Sequence, residues 1–543
     1  MPLRNIGPYK VIESDDSYLT RYWPLLSKQI KDRYGDKEIT EGVKVQEILK
    51  ECFSFFCNEF KTLLAHKNKA SFFIFVQDIH EDSIEIWHQR LKGNRIPVDD
   101  EDFAATRRIL KCTLEQGCAL DLVGHPNFYK EIMANTAEYI KHLEELLYLG
   151  LRAFELTETI ARSLLCPHSI GIHVIDDELN IITYQPFDTL FGFIFEDHKR
   201  HNNTVVLSDC VIEFKEILNR DLDINLDHLS GFVGTQLKNK SYRFGVFNLD
   251  HLLTNLNTSL GYSKQKLEVF YSGLIVGRHN VLSLEDCLLK TQNERRYMYR
   301  PILKYKIDGV DYWMCGANKW TESFTHLATN CFPFGQFPTE WKKFPELDTF
   351  IKRTMNTHDK ILEDPAIEII KKANLKFDRN VTYLRKPNNR NTSLVKANLG
   401  EIDLVFIDEQ EHIIYLAECK HNRSRYEYHN WRRDIENFRS TYETQLNNKY
   451  SWIRTNKLSL LEHFEILYSC SIANKEQYKV VPMFIINAPT LYMYDSDYLT
   501  VTLYDLDLYL QGRHVTIEFN GQLKGKPISF LPPYFKNTEK LFI

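Results

Sequence analysis

The sequence predicts a multidomain α+β protein with a mainly helical N-terminal region, a mixed α/β middle domain and a C-terminal α/β domain. Three observations lead there. The chain of 543 residues has room for three or four domains of about 150 residues each, and for more than one core. Apolar residues recur at three- and four-residue steps through roughly the first 165 residues. Beyond them, short β-branched and aromatic runs bounded by turn residues interleave with helical stretches. The expected divisions are a helical domain over 1–166, a mixed α/β domain of unknown role over 167–337, an α/β domain over 338–512 and an extension over 513–543.

In the helical region, residues 16–33 and 40–66 carry the clearest pattern, and 100–120 and 127–165 continue it. The run Ala70 to Val76 fits either a strand or a buried helical turn, since periodicity alone does not separate them. The expected role of this region is contact with a protein partner or a second copy of the chain, with direct sensing of substrate as the alternative. In the middle domain, two hairpins are expected, one turning at Asp176-Asp177 and one at Asp308-Gly309. Helices are expected around 252–260 and 321–331, then over 341–355 and 359–373, with Pro365 in a first helical turn. A strand over 376–385, a helix over 428–446, strands at 478–486 and 499–502 and a helix at 505–510 complete the order.

Composition excludes several classes. Hydrophobic residues at 43% and charged residues at 26% are ordinary for a globular chain. A net charge of −5 means that any nucleic-acid surface is a local patch. The eleven cysteines form no CxxC pair, which predicts reduced, buried thiols and a cytoplasmic location. No run of 18 apolar residues occurs, so no membrane span is expected. The opening Met1-Pro2-Leu3-Arg4 lacks the apolar core of a signal peptide. Neither a phosphate-cradling GxxxxGK[ST] loop nor GxGxxG is present, so no built-in ATPase is expected. Three metal-like patterns are read as structural: Cys166-x-His168 with His173 lacks a fourth ligand, Asp221-x-Asp223-x-Asn225 lacks the glycine and glutamate of a calcium loop, and Cys112 and Cys118 lack partners.

The stretch with chemistry in it is 400–420. Two apolar runs, Ile402 to Ile407 and Ile413 to Cys419, flank the polar turn Asp408 to His412. Asp403 opens the first run, and Glu418 and Lys420 close the second. Strand side chains alternate faces, so Glu418 and Lys420 share one. A turn near 410 places Asp403 opposite 417 or 418. Two carboxylates at the end of a buried hairpin repel unless a cation or a shared proton relieves them. Mg²⁺ does so with one or two carboxylates and a carbonyl while keeping waters for exchange.

Asp403 followed by Glu418-x-Lys420 at the end of an apolar strand resembles the PD-(D/E)XK nuclease superfamily, the restriction-endonuclease-like fold, over residues 340–512. The resemblance implies a metal-dependent endonuclease acting on DNA, with Asp403, Glu418 and Lys420 catalytic. It implies Mg²⁺, for which Mn²⁺ can substitute, held by Asp403, Glu418 and the Cys419 carbonyl. A helix before the hairpin often adds a carboxylate in such folds; Glu363 fits that place, with Glu368 as competitor. Residues 376–433 hold eleven Lys/Arg and eight Asp/Glu, a basic setting suited to a polyanion. Arg390, in a loop that either follows a phosphate backbone or is plain surface, and Arg423, Arg425, Arg432 and Arg433 are the expected nucleic-acid contacts. Trp431 is expected in the core. DNA is favoured over RNA, and a regulated role in antiviral defence is the expectation drawn by analogy. The rivals are an RNA-directed nuclease and a non-catalytic nucleic-acid-binding or assembly protein.

Overall fold

The structure, a computed structural model, describes residues 3–98, 100–124, 128–165, 169–183, 208–231, 244–357, 360–387, 390–421, 427–494, 496–512, 519–523 and 526–530. The chain is α+β and divides into two compact units. The first comprises Met1–Ile160, Ile172–Ile182 and Val206–Met355; the second comprises Ala161–Gly171, Thr183–Val205 and Asn356–Ile543.

The first unit opens with a two-stranded ladder, Leu3–Ile6 with Tyr9–Ile12, and long helices follow: Leu19–Tyr34, Gly42–Ala65, Ala70–Leu91, Asp100–Gly117 and most of Phe128–Leu165. The ambiguous run at Ala70 is the start of a 22-residue helix. Phe72, Phe73, Ile74, Phe75 and Val76 are all buried, so its first turns are apolar on every side and lie in the core. A five-stranded sheet runs in the order Asp121–Leu122, Ile302–Ile307, Val310–Gly316 and Phe244–Asn248, with Ile275–Val276 also on Ile302–Ile307. The hairpin at Asp308-Gly309 forms with Val310 paired to Ile307 and both turn residues at positive φ, 48° and 84°, the geometry that favours this dipeptide. The expected helix at Trp341 is a short 3-10 turn, Thr339–Lys343, and a separate helix starts at Pro345.

The second unit is built on one mixed sheet. Helix α1 (Lys360–Lys372) precedes strands β1 (Lys376–Val381), β2 (Ile402–Asp408) and β3 (Ile413–Lys420). Helices α2 (Tyr428–Asn437), α3 (Glu443–Thr455) and α4 (Lys457–Tyr468) lead to β4 (Lys479–Ile486), β5 (Leu499–Thr502) and α5 (Leu503–Leu510). The sheet order is β1-β2-β3-β4-β5. The first three strands are antiparallel neighbours; β3-β4 and β4-β5 are parallel. A parallel pair requires a crossover, and α2 to α4 supply the one between β3 and β4. Asp408 caps the β2-β3 turn, its Oδ1 accepting from the Gln410 and Glu411 N–H groups at 2.9 and 3.0 Å. At the other end, Gly400 enters β2 at φ +72°, where a Cβ would be strained.

Both faces of this sheet are covered, which explains its unbroken apolar strands. Leu404, Phe406, Tyr415 and Ala417 pack under α1 and α5, against Leu362, Ala366 and Leu506. Val405, Ile407, Ile414 and Leu416 pack under α2 to α4, against Trp431, Ile435 and Leu446. Helix α1 differs from expectation in one respect: it begins at Lys360, so Pro365 lies inside it rather than in its first turn. Leu362 is buried on the sheet, and its packing extends the helix past the point where proline alone would start it. The single helix expected over 428–446 is two, joined by a π turn at Phe438–Tyr442, and the second runs on to Thr455. The extension carries a hairpin, Phe519–Leu523 with Lys526–Phe530.

Candidate active site

Strand geometry brings the predicted residues to one place. On β3, Ile414 and Leu416 face α2 to α4, so Glu418 and Lys420, next in the same alternation, face that way too. On β2, Val405 and Ile407 face the same helices, and Asp403 precedes them by two. Leu404 pairs with Ala417, which sets Asp403 beside Glu418. The Cys419 N–H donates to Asp403 Oδ2 at 2.8 Å, fastening the carboxylate to the neighbouring strand. The Cys419 side chain lies on the opposite face, buried under α1 and α5, which leaves only its backbone for the site.

Glu418 is 1% exposed. Lys420 Nζ is 3.4 Å from its Oε2, and Lys420 also lies 5.0 Å from the centre of the Tyr442 ring. A second lysine, Lys449 on α3, binds the other oxygen, Oε1. Sequence reading missed this residue. Leu446, Lys449 and Ile453 are spaced to share one helix face, and both apolar members are buried. A lysine in the middle of a core-facing stripe is the signal that could have found it.

The electrostatics follow from this crowding. Burial, then the Glu418 carboxylate, push the Asp403 carboxyl up from 3.8 to about 6, against Lys420, Lys449 and the Cys419 N–H. Burial pushes the Cys419 thiol well up, with Asp403 and Glu363 adding to it.

Glu363 is buried, 3% exposed, on α1 under the opposite face of the sheet. Its carboxylate acts on the Cys419 thiol together with those of Asp403 and Glu418; among the described residues, no three His, Cys, Asp or Glu side chains form a group that could hold an ion. Helix α1 packs on the face that carries the Cys419 side chain. Glu368 is exposed and paired with Lys371 at 2.8 Å. Of the expected nucleic-acid contacts, Arg390 and Arg433 are exposed. Arg432 is half-buried and paired with Glu436 at 2.5 Å. Arg423 and Arg425 lie outside the described residues. Trp431 is buried.

The metal-like patterns have local uses. Asp221 pairs with Arg220 at 2.6 Å, Asp223 with Lys266 at 2.7 Å, and Asn225 accepts from the His228 N–H at 3.0 Å. His173 lies 3.0 Å from Glu38; Cys166 and His168 are outside the described residues. Cys112 accepts from Arg296 at 3.5 Å, and Cys118 donates to the Val276 carbonyl at 3.4 Å.

No protein-family model matches the chain, and neither a curated protein nor a solved structure does. No helix among the described residues is long and apolar enough to cross a membrane.

Proposed function

We propose that the second unit is a metal-dependent nuclease of the PD-(D/E)XK kind that hydrolyses phosphodiester bonds of DNA. The observation that carries the reading is the like-charge pair: Asp403 and Glu418 on one sheet face, with Lys420 beside them. Three antiparallel strands followed by a helical crossover to a parallel strand support it, because that order suits the superfamily's core.

The donor set fits a hard cation. Asp403, Glu418 and the Cys419 carbonyl offer oxygen only, and the Cys419 sulfur faces away; such ligands suit Mg²⁺ or Mn²⁺ better than zinc. When bound, the ion supplies positive charge at the phosphate and an acidified water. The chain's own residues do the rest. Asp403, tied to the Cys419 N–H, fixes one carboxylate in place. Glu418 fixes the other from the end of a buried strand. Lys420 orients the attacking water by hydrogen bond and offsets charge that builds on the phosphate oxygens in the transition state.

The test is a substrate panel of plasmid, linear duplex, single-stranded DNA and RNA, each with Mg²⁺ or with chelator. The expected result is DNA cleavage with Mg²⁺ and none with chelator. Cleavage of RNA alone would move the assignment to an RNA nuclease. Binding without cleavage of any substrate overturns the catalytic reading. One observation favours that last rival: both oxygens of Glu418 already face ammonium groups.

A further inference from the structure

The carboxylate pair has a partner that the nuclease reading does not use. Lys449 reaches Glu418 from a residue 31 positions away, and its side chain is only 9% exposed. Lys420, at 18%, is the more accessible of the two lysines and extends over Tyr442. Lys449 is instead fixed by α3, whose Leu446 and Ile453 are anchored in the core. Two carboxylates and two ammonium groups therefore share the site, and their formal charges cancel. A dication entering that balance meets two cations at Glu418 and must compete with at least one.

We propose that Lys449 is the resident counter-ion of the site: it holds Glu418 in the metal-free protein and competes with a divalent cation for the same carboxylate. The inference rests on the metal-site reading above and adds a determinant of cation affinity to it. Lys449 keeps a buried carboxylate partnered when no metal is present. By linkage, whatever Lys449 contributes to holding Glu418 is subtracted from metal binding. The site is thus set to load at higher cation concentration than its two carboxylates alone would require. Lys449 is a positioning residue; Lys420 keeps the catalytic place.

The experiment is calorimetric titration of Mn²⁺ into the chelator-treated full-length chain, as wild type, Lys449→Gln, Lys449→Arg and Asp403→Asn. Lys449→Gln is expected to bind Mn²⁺ about tenfold more tightly than wild type, and Lys449→Arg, which keeps the charge, within about twofold of it. Asp403→Asn is expected to lose binding. Thermal melts give a second readout: without metal Lys449→Gln melts below wild type, and Mn²⁺ raises its midpoint more. Equal or weaker Mn²⁺ affinity in folded Lys449→Gln overturns the inference. If that variant does not fold without metal, recovery on adding Mn²⁺ supports the inference, and absence of recovery while Lys449→Arg folds overturns it. A folded wild type that binds no Mn²⁺ is a different failure: it removes the metal-site reading itself, and this inference with it.

Discussion

Two buried charge clusters, one in each unit, use the same residue types in different ways. In the first unit, Glu115 is 1% exposed and accepts from Arg296 Nε at 2.9 and 2.8 Å, from the Tyr297 N–H at 2.5 Å and from Cys287 Sγ at 3.1 Å. Nearby in kind, Glu322 is bound by Lys319 and Arg107; burial alone would push its carboxyl up, but those two cations outweigh it and hold it well below the usual range. Each of these carboxylates faces cations and donors. In the second unit, Asp403 faces Glu418 and its carboxyl is pushed up, as burial pushes that of Glu81 in the first unit up to about 8. Burial of charge is thus common to both and says nothing of chemistry. The distinguishing feature is placement: Asp403 and Glu418 close two paired strands, and the two lysines of the site lie on Glu418, which leaves Asp403 facing a like charge.

The largest test of that contrast concerns activity. Asp403→Ala and Lys420→Ala are each expected to lower Mg²⁺-dependent cleavage by roughly 10³-fold, with little change in the thermal midpoint. Retained metal-dependent cleavage in either variant would reject their assignment. Stability should behave in the opposite way in the first unit. Glu115→Ala leaves the Arg296 charge buried without its carboxylate, and is expected to cost about 3–5 kcal/mol in denaturant melts. If Asp403→Ala costs as much as Glu115→Ala, the two clusters do not differ as argued.

How far these features were legible in the sequence depends on the range of the interaction involved. The Asp308-Gly309 hairpin was legible because its turn geometry is local to two residues. The shared face of Asp403, Glu418 and Lys420 was legible because a strand's period of two leaves no freedom. Glu363 was matched by helix spacing alone, which does not show burial; the packing of α1 on the sheet buries it. Pro365 suggested a helix start that the burial of Leu362 overrode. The break at Phe438–Tyr442 is a π turn, invisible to a 3.6-residue pattern. Lys449 reached the site by a crossover, and only its place between two core residues hinted at it.

A smaller effect sharpens the electrostatic side of the comparison. The Asp403 carboxyl lies at about 6 in the folded metal-free protein, against an ordinary 3.8. The folded state therefore holds this proton more tightly than the unfolded chain. Asp403 favours folding fully below about pH 4, and that contribution is lost as pH rises through about 6. Asp403→Asn removes the titration, and above about pH 6 it is expected to stabilise the metal-free protein by on the order of 2 kcal/mol. Urea melts in chelator across this range measure it. Parallel pH profiles for wild type and Asp403→Asn would show that burial and Glu418 do not raise the Asp403 carboxyl as the geometry indicates.

The smallest effects concern the proposed nucleic-acid surface, where exposed and paired arginines can be compared within one unit. Arg390 and Arg433 are exposed, whereas Arg379 is tied to Asp364 at 2.7 Å. If the basic surroundings of the site bind phosphate, Arg390→Ala and Arg433→Ala each weaken DNA binding a few-fold and lower the slope of log affinity against log salt by about 1. Arg432→Ala is expected to do less, because Glu436 already holds its guanidinium at 2.5 Å. Arg379→Ala serves as the control and should leave the slope unchanged. Fluorescence anisotropy with a labelled duplex in chelator, at several salt concentrations, separates these cases without cleavage. An unchanged slope for Arg390→Ala and Arg433→Ala would place the phosphate path elsewhere, since counterion release follows the number of cations on the backbone rather than the strength of any one contact.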